Sequence, residues 1–454
     1  MSHWRELVAS CVLGGRWLTA MDVAQPAAKL AKRLLDLGAE DAMAIGACMG
    51  TGPLVALPED RLIVMDVRAE GTMGGIRAGE AALSNLPEAV RAQVDAWDPE
   101  GRARVLRPFY SAGEPVAGRR VWGARPARWQ ALEDKVVIDA FWDDAGIERA
   151  PYRVVSPAEV PEAARSLDAG AGTVWAGDAR EGFNGGASYT RWVRDGRDAE
   201  RALDFLAPRC DRVRVMPFLD GLPCSIHGIV APGEEHILTL RPMEMLVLRG
   251  PEGFVYSGGA GLWRPAAEDR QAMRRVARRV GEHLRSAFGY RGAYTVDGVL
   301  TERGFLPSEL NPRFGAALTP YVDEDIPLVL LVFAMVEGLR LDWRLEALEE
   351  CLLQRSEEPK DTWCGLPMAM PVEEERTMEV VFDPLARPAR EGEPPHAKVV
   401  LGPSSGGSYM RMGFLPDHTP VGPSLAPRVA TLVELLRSRW GLPVGPLEPA
   451  PSLR

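Results

Sequence analysis

Leu306-Pro307-Ser308-Glu309-Leu310-Asn311-Pro312-Arg313 carries more chemistry per residue than any other stretch of this chain. Alternation along a strand sends the side chains at i and i+2 to one face, so Glu309 and Asn311 project together. Upstream, Ala293-Tyr294-Thr295-Val296-Asp297-Gly298-Val299 reads as a second strand with a single acid. A hairpin turning through Thr301-Glu302-Arg303-Gly304 brings Asp297 alongside Glu309 and Asn311. Two carboxylates and an amide oxygen make a hard-oxygen face suited to magnesium, held jointly with nucleotide phosphates rather than in an all-protein cage. Arg313, on the same face, adds a planar fork for phosphate or carboxylate.

The bulk numbers set the frame around that hairpin. A chain of 454 residues exceeds one hydrophobic core and predicts several domains. Its 46% hydrophobic and 26% charged residues are those of a globular protein, and a net charge of -10 argues against a nucleic-acid footprint. Six cysteines, none in C-x-x-C spacing, suggest neither a zinc site nor a disulfide framework and read as reduced thiols. The start, Met1-Ser2-His3-Trp4-Arg5-Glu6, lacks the features of a signal peptide, and the apolar run Ile326 to Val336 is too short for a bilayer. No membrane partner and a cytoplasmic location are therefore expected.

Along the chain, residues 1–123 alternate helix-like and strand-like stretches, predicting a small α/β layer with a parallel sheet. Ala24 to Leu37 is helical in spacing and closes at Gly38; Ala42 to Ile45 and Leu62 to Met65 are strands. Gly46-Ala47-Cys48-Met49-Gly50-Thr51-Gly52, with Asp66 twenty residues on, imitates a dinucleotide fingerprint. Pro53 and Pro58 interrupt it and the spacing is not G-x-G-x-x-G, so a structural turn is expected. Residues 124–340 hold the hairpin and a predicted helix from Trp129 to Ala145. Residues 341–454 contain strands at Met378 to Phe382 and Lys398 to Leu401, a hairpin loop at Gly402 to Ser408, a helix from Ala426 to Trp440, and a Pro-rich end, 442–454, expected to be loose.

Four further segments have chemical potential. Lys135, in Glu133-Asp134-Lys135-Val136-Val137, supplies a mobile point charge for phosphate. Gly182-Phe183-Asn184-Gly185-Gly186-Ala187-Ser188 lies between two apolar stretches and can close backbone N–H groups over phosphates. Arg214-Val215-Met216-Pro217-Phe218-Leu219-Asp220-Gly221 offers a flat apolar slot with exposed backbone groups for a purine. Leu238 to Glu244 carries Arg241. The histidines His227, His236 and His283 lack metal-ligand spacing and read as structural.

Taken in order, these landmarks resemble the ATP-grasp superfamily. Its pattern sets an acid on one strand and Glu-x-Asn on the next, a lysine in an Asp-Lys segment, a glycine-rich lid and an aromatic hinge. The resemblance implies an ATP-grasp fold of α/β and α+β type, with an N-terminal α/β pre-ATP-grasp domain (1–123), a nucleotide-binding and catalytic domain (124–340) and a C-terminal mixed β lobe (341–454). It implies ATP and Mg2+ as cofactors, with Asp297, Glu309 and Asn311 on the metal. It places Lys135, Gly185, Gly186, Ser188, Met216, Pro217, Phe218, Leu219 and Asp220 on the nucleotide, and makes Arg241 and Arg313 catalytic. It further implies ligation of a small-molecule carboxylate to an amine through an acyl phosphate, most like the bacterial peptide ligases of pheganomycin type, in natural-product biosynthesis; a homodimer stays open. The sequence departs from the family at the lid strand, where Ala176 or Gly177 stands in place of a lysine, and either Arg180 or Arg191 is expected to substitute or the triphosphate is expected to be held differently. An ATP-grasp kinase and a non-catalytic nucleotide-binding module are the alternatives.

Overall fold

The computed structural model describes residues 2–450 apart from 59, 112, 183–184, 252, 316–317, 319–323 and 359–361, with the side chain of residue 72 also set aside. Helix α1 (His3–Val12) precedes β1 (Arg16–Val23), α2 (Ala24–Asp36), β2 (Asp41–Cys48), β3 (Leu62–Val64), α3 (Gly71–Ser84), α4 (Glu88–Trp97) and β4 (Arg104–Leu106). The four strands form one parallel sheet in the order β3-β2-β1-β4. A parallel sheet is covered on both faces, and β2 is accordingly buried along nearly its whole length. Gly46 sets the distance between α2 and the sheet, because a Cβ there would fall 2.6 Å from the Ala24 backbone. No helix opens within residues 46–52, and Asp66 pairs with exposed Arg68. The glycines of that segment serve packing and turning, as expected.

The next segment departs from the sequence reading. The helix expected from Trp129 to Ala145 is broken into α5 (Ala127–Gln130), a 3-10 turn at Ala131–Glu133 and α6 (Ile138–Asp144). The Asp134 carboxylate accepts the Val136 N–H at 3.1 Å, a local side-chain bond that competes with the helix ladder. Lys135 therefore stands in a turn. A capping box between Ser156 and Glu159 starts the following helical segment. Then β5 (Arg153–Val155), α7 (Val160–Leu167), β6 (Thr173–Gly177), β7 (Thr190–Val193), α8 (Gly196–Leu206) and β8 (Val213–Pro217) build an antiparallel sheet in the order β5-β8-β6-β7. Val160, Trp175, Leu206, Val213 and Val215 fill the core between that sheet and its helices.

A larger sheet follows. Strands β9 (Leu222–Val230), β10 (Ile237–Thr239), β11 (Met243–Gly250), β12 (Gly253–Ala260), β13 (Gly292–Thr301) and β14 (Gly304–Asn311) run in the order β12-β11-β9-β13-β14, with β10 on β9. Helix α9 (Ala267–Phe288) connects β12 to β13. Helix α10 (Leu328–Glu337) is apolar on all sides and buried throughout its middle, packed on α1 and β13. No helix among the described residues is long and apolar enough to cross a membrane.

After α11 (Leu345–Arg355), strands β15 (Thr362–Met368), β16 (Arg376–Phe382), β17 (Ala386–Pro388), β18 (Ala397–Ser404) and β19 (Gly407–Phe414) form an antiparallel sheet, β15-β19-β18-β16-β17, closed by α12 (Ala426–Trp440). Its core continues into Leu246 and Leu248 of β11. The β18–β19 tip touches the first unit, where the Ala69 N–H donates to the Ser405 carbonyl at 2.9 Å. Residues 442–450 are not loose. Arg249 and Glu448 exchange backbone hydrogen bonds of 2.7 and 2.9 Å, and Leu442 and Ala450 are buried. The apolar side chains between the prolines dock the segment on the β11–β12 hairpin, with Leu447 against Gly250. Residues 451–454 lie outside the described residues.

Candidate active site

Strands β13 and β14 turn tightly, with Thr301 paired to Gly304, and the register sets Asp297 directly opposite Glu309 and Thr295 opposite Asn311. The pairing shifts by one residue between Asp297 and Gly298, and a bulge of this kind re-aims neighbouring side chains. Asn311 Nδ2 donates to Asp297 Oδ2 at 2.8 Å, and Arg313 Nη2 donates to Asn311 Oδ1 at 3.0 Å. Arg313 Nε reaches Glu133 Oε2 at 3.2 Å, and Arg125 takes the other Glu133 oxygen at 2.5 Å. Lys135 Nζ lies 2.9 Å from Glu309 Oε1. Because Glu133 and Lys135 are two apart in a turn, one segment supplies both the acid that orients Arg313 and the cation beside Glu309.

Burial, and then the Glu309 charge, push the Asp297 carboxyl well above the usual carboxylate range. Burial alone would raise Glu133 too, but Arg313 and Arg125 outweigh it and hold that carboxyl below its ordinary value. Beneath the acidic face, His227 is fully buried and its Nδ1 lies 2.8 Å from Thr295 Oγ1. Burial lowers its pKa to about 3, so it is neutral, the structural histidine expected.

The ionic cluster forms one end of a cleft of about 850 Å³, open mouth included. Lys135, Ser308 and Glu309 line that end. Val174, Ala176, Thr190, Arg214 and Met216 form one wall, and Met245, Val247 and Phe254 face them. The far end is apolar and aromatic: Phe218 and Leu219 line it, Phe218 stacks on Trp192 at 4.3 Å between ring centres, and Ala450 closes it. Arg249 lies over the Phe218 ring at 4.9 Å and pairs with Asp220 at 2.9 Å. A site with a flat apolar slot at one end and cations beside a carboxylate pair at the other is shaped for a base carrying phosphates.

No protein-family model and no curated protein matches the sequence. Solved structures do match. Biotin carboxylase from Campylobacter jejuni, solved as a β,γ-ATP complex, is 12% identical and superposes with a TM-score of 0.54, covering 97% of this chain and 94% of that one. Pyruvate carboxylase from Rhizobium etli, solved with acetyl coenzyme-A, is 15% identical with a TM-score of 0.57, covering 94% of this chain and 37% of that one. The chain has the ATP-grasp fold. At such identities the likeness is one of fold.

Within this ATP-grasp architecture, the structure brings together Asp297, Glu309, Asn311, Arg313 and Lys135, and sets Met216, Phe218 and Leu219 along the same cleft. Pro217 is buried in β8 between them, and Asp220 stands at the rim. Gly185, Gly186 and Ser188 belong to the β6–β7 connection, whose residues 183 and 184 lie outside the described residues; none of the three lines the cleft. Arg241 does not join the cluster. The chain breaks at Arg241-Pro242 between β10 and β11, and the guanidinium bonds the Ser356 carbonyl at 2.6 Å and the Glu357 carboxylate. Neither expected lysine substitute reaches the cleft: Arg180 pairs with Asp211 at 2.9 Å, and Arg191 lies 4.0 Å over the Phe205 ring. Ala176 faces the cleft, whereas a Cβ on Gly177 would meet Cys210 Sγ at 2.4 Å on the opposite side.

Sequence reasoning missed Glu133, Arg125, Arg214 and Ala450. The alternation Arg214, Met216, Phe218 along one strand was a signal for Arg214, but assigning five consecutive residues, Met216 to Asp220, to the nucleotide left the inward face unfixed.

Proposed function

We propose that this protein is an ATP-dependent ligase that joins a carboxylate, an amino acid or peptide-like acid, to an amine through an acyl phosphate. The observation that carries this reading is the cluster of Asp297, Glu309, Asn311, Arg313 and Lys135 at the end of a cleft whose other end is an aromatic slot. A base in the slot directs its phosphates toward Lys135 and the carboxylate pair. Residues 1–123, 124–340 and 341–454 are proposed as the pre-ATP-grasp, catalytic and C-terminal units.

Magnesium fits the donor set. Asp297 and Glu309 are oxygen donors in direct register, and burial together with the facing Glu309 charge raises the Asp297 carboxyl, a cost that a bound cation would relieve. The proposed set of two carboxylates and the Asn311 amide leaves positions for phosphate oxygens in the shell of the cation. When bound, Mg2+ neutralises phosphate charge during transfer.

The chain's own contribution is positioning and charge. Lys135 holds a phosphate oxygen as a point charge, and Arg313, oriented by Glu133, brings its positive charge to oxygens that gain charge. The acceptor carboxylate attacks the terminal phosphorus and ADP leaves; the amine then attacks the acyl carbon and phosphate leaves, giving the amide. Arg241, tied to Ser356 and Glu357, is assigned to the end of α11 rather than to this step.

A hydroxylamine trap tests the reading. With a panel of amino acids and peptides, Mg-ATP and hydroxylamine in place of the amine, the right acid yields a hydroxamate together with equal ADP and phosphate. A stable phosphate ester without hydroxamate assigns the protein to the kinases, and nucleotide binding without ADP release under any acid assigns it to the non-catalytic modules.

A further inference from the structure

Resting on the nucleotide reading of the cleft, we infer that Arg214 is its second phosphate-binding cation. Strand β8 sets Arg214 directly opposite Ala176 of β6, and Ala176 in turn opposes Thr190 of β7; all three side chains line the cleft. Directly paired residues in an antiparallel sheet hold their Cβ atoms roughly 5 Å apart, so the small Ala176 leaves room for the long side chain beside it. Asp139 of α6 clamps the guanidinium from behind, accepting from Nε at 2.6 Å and from Nη2 at 2.8 Å. Nη1 is turned the other way and donates to Met216 Sδ at 3.1 Å and to the Ser308 carbonyl at 3.2 Å, next to Glu309. The forward edge of the fork therefore reaches the ionic end of the cleft, where Lys135 lies on Glu309.

Charge placement supports the same assignment. Among the described residues lining the cleft, the cations are Lys135, Arg214 and Arg249, and Arg249 is held at the aromatic end by Asp220. Lys135 and Arg214 are thus the lining cations placed for a polyphosphate, beside Arg313 of the ionic cluster. Arg214 and Asp139 are both almost fully buried, and a buried ion pair contributes little net stability compared with apolar groups of the same size. A fork fixed before the ligand arrives has its use in recognition, because its ordering is complete at the moment of binding.

Removing Arg214 alone would leave the buried Asp139 with only Arg149 Nε, 3.7 Å away, to face it, so the test uses the full-length double variant Asp139→Asn/Arg214→Met, which removes both charges at similar volume. Dissociation constants for Mg-ATP and for adenosine are measured by titration calorimetry. The expected result is a native far-UV spectrum, Mg-ATP binding weaker by ~10- to 100-fold, as for loss of a charge-assisted hydrogen bond, and adenosine binding within ~3-fold of the parent. Adding Ala176→Lys to the double variant returns a cation to the same face and recovers at least ~5-fold of the Mg-ATP affinity. Should the double variant fold poorly, Ala176→Glu in the parent neutralises the fork in place, with the same selective loss expected. Unchanged Mg-ATP affinity, or an equal loss for adenosine and Mg-ATP, overturns the assignment and leaves Arg214 a structural partner of Asp139. A parent protein that binds neither ligand overturns the nucleotide reading itself, and this inference with it.

Discussion

Asp297 and Glu309 face each other across the β13–β14 hairpin, where Lys135 lies 2.9 Å from Glu309 and Asn311 donates to Asp297 at 2.8 Å. Glu309→Gln removes charge from the face that would receive a cation while keeping the side-chain shape. The variant is expected to fold and to lose ~100-fold or more in ADP release, the scale of several kcal/mol of charge stabilisation in phosphoryl transfer. Coupled-enzyme detection of ADP checks this, and an unchanged turnover would remove Glu309 from the metal assignment.

Lys135→Ala should weaken nucleotide binding without disturbing the hinge slot. A ligand at about 100 times its dissociation constant stabilises the folded state by ~2.7 kcal/mol, and a tenfold loss of affinity lowers that by ~1.3 kcal/mol. Differential scanning fluorimetry with Mg-ATP should therefore show roughly half the parental rise in Tm. A full rise would mean that the lysine does not touch the ligand.

Ala450→Trp fills the aromatic end of the cleft from the docked C-terminal segment. Overpacking costs ~1–3 kcal/mol, so binding of adenosine and of Mg-ATP should fall together, by ~10-fold or more. This pattern contrasts with the phosphate-selective loss expected for Arg214. Equal binding by variant and parent would place the base elsewhere.

Asp22, at the end of β1, has a pKa pushed from 3.8 up to about 7 by burial and then by Glu80, and its Oδ1 has no hydrogen-bond partner. The folded state thus holds its proton more tightly than the unfolded state. Stability falls as pH rises from about 4 to 7, and the full penalty is present above 7. Asp22→Asn should raise Tm at pH 8 and have little effect near pH 4. An equal change at both values would show that charge is not the cause.

The hairpin was legible because its signals are local: two alternating strands, a short turn and polar residues on one face. Helix α2 was legible for the same reason, through helical spacing and a closing glycine, Gly38, in the left-handed region. The break at Asp134 was not, since Trp129, Leu132, Val136 and Phe141 keep an apolar rhythm through a turn that one carboxylate imposes. The Arg214–Asp139 clamp joins residues 75 positions apart, and no local pattern announces such a pair. Arg241 was misplaced because an apolar run around it reads as one strand, while Pro242, which cannot donate to a ladder, divides it. The docked tail was obscured by its prolines, which suggest looseness but leave Leu442 and Leu447 free to bury.

The cleft draws its lining from Lys135 through Glu309 and then from Ala450. During synthesis the slot, the hinge and the metal face can all assemble while the segment that closes the base end is still unmade. A nascent chain emerging from the ribosome therefore carries a cleft open at one end until residues 442–450 reach the β11–β12 hairpin, so chains stalled before that point should hold nucleotide more weakly than the finished protein.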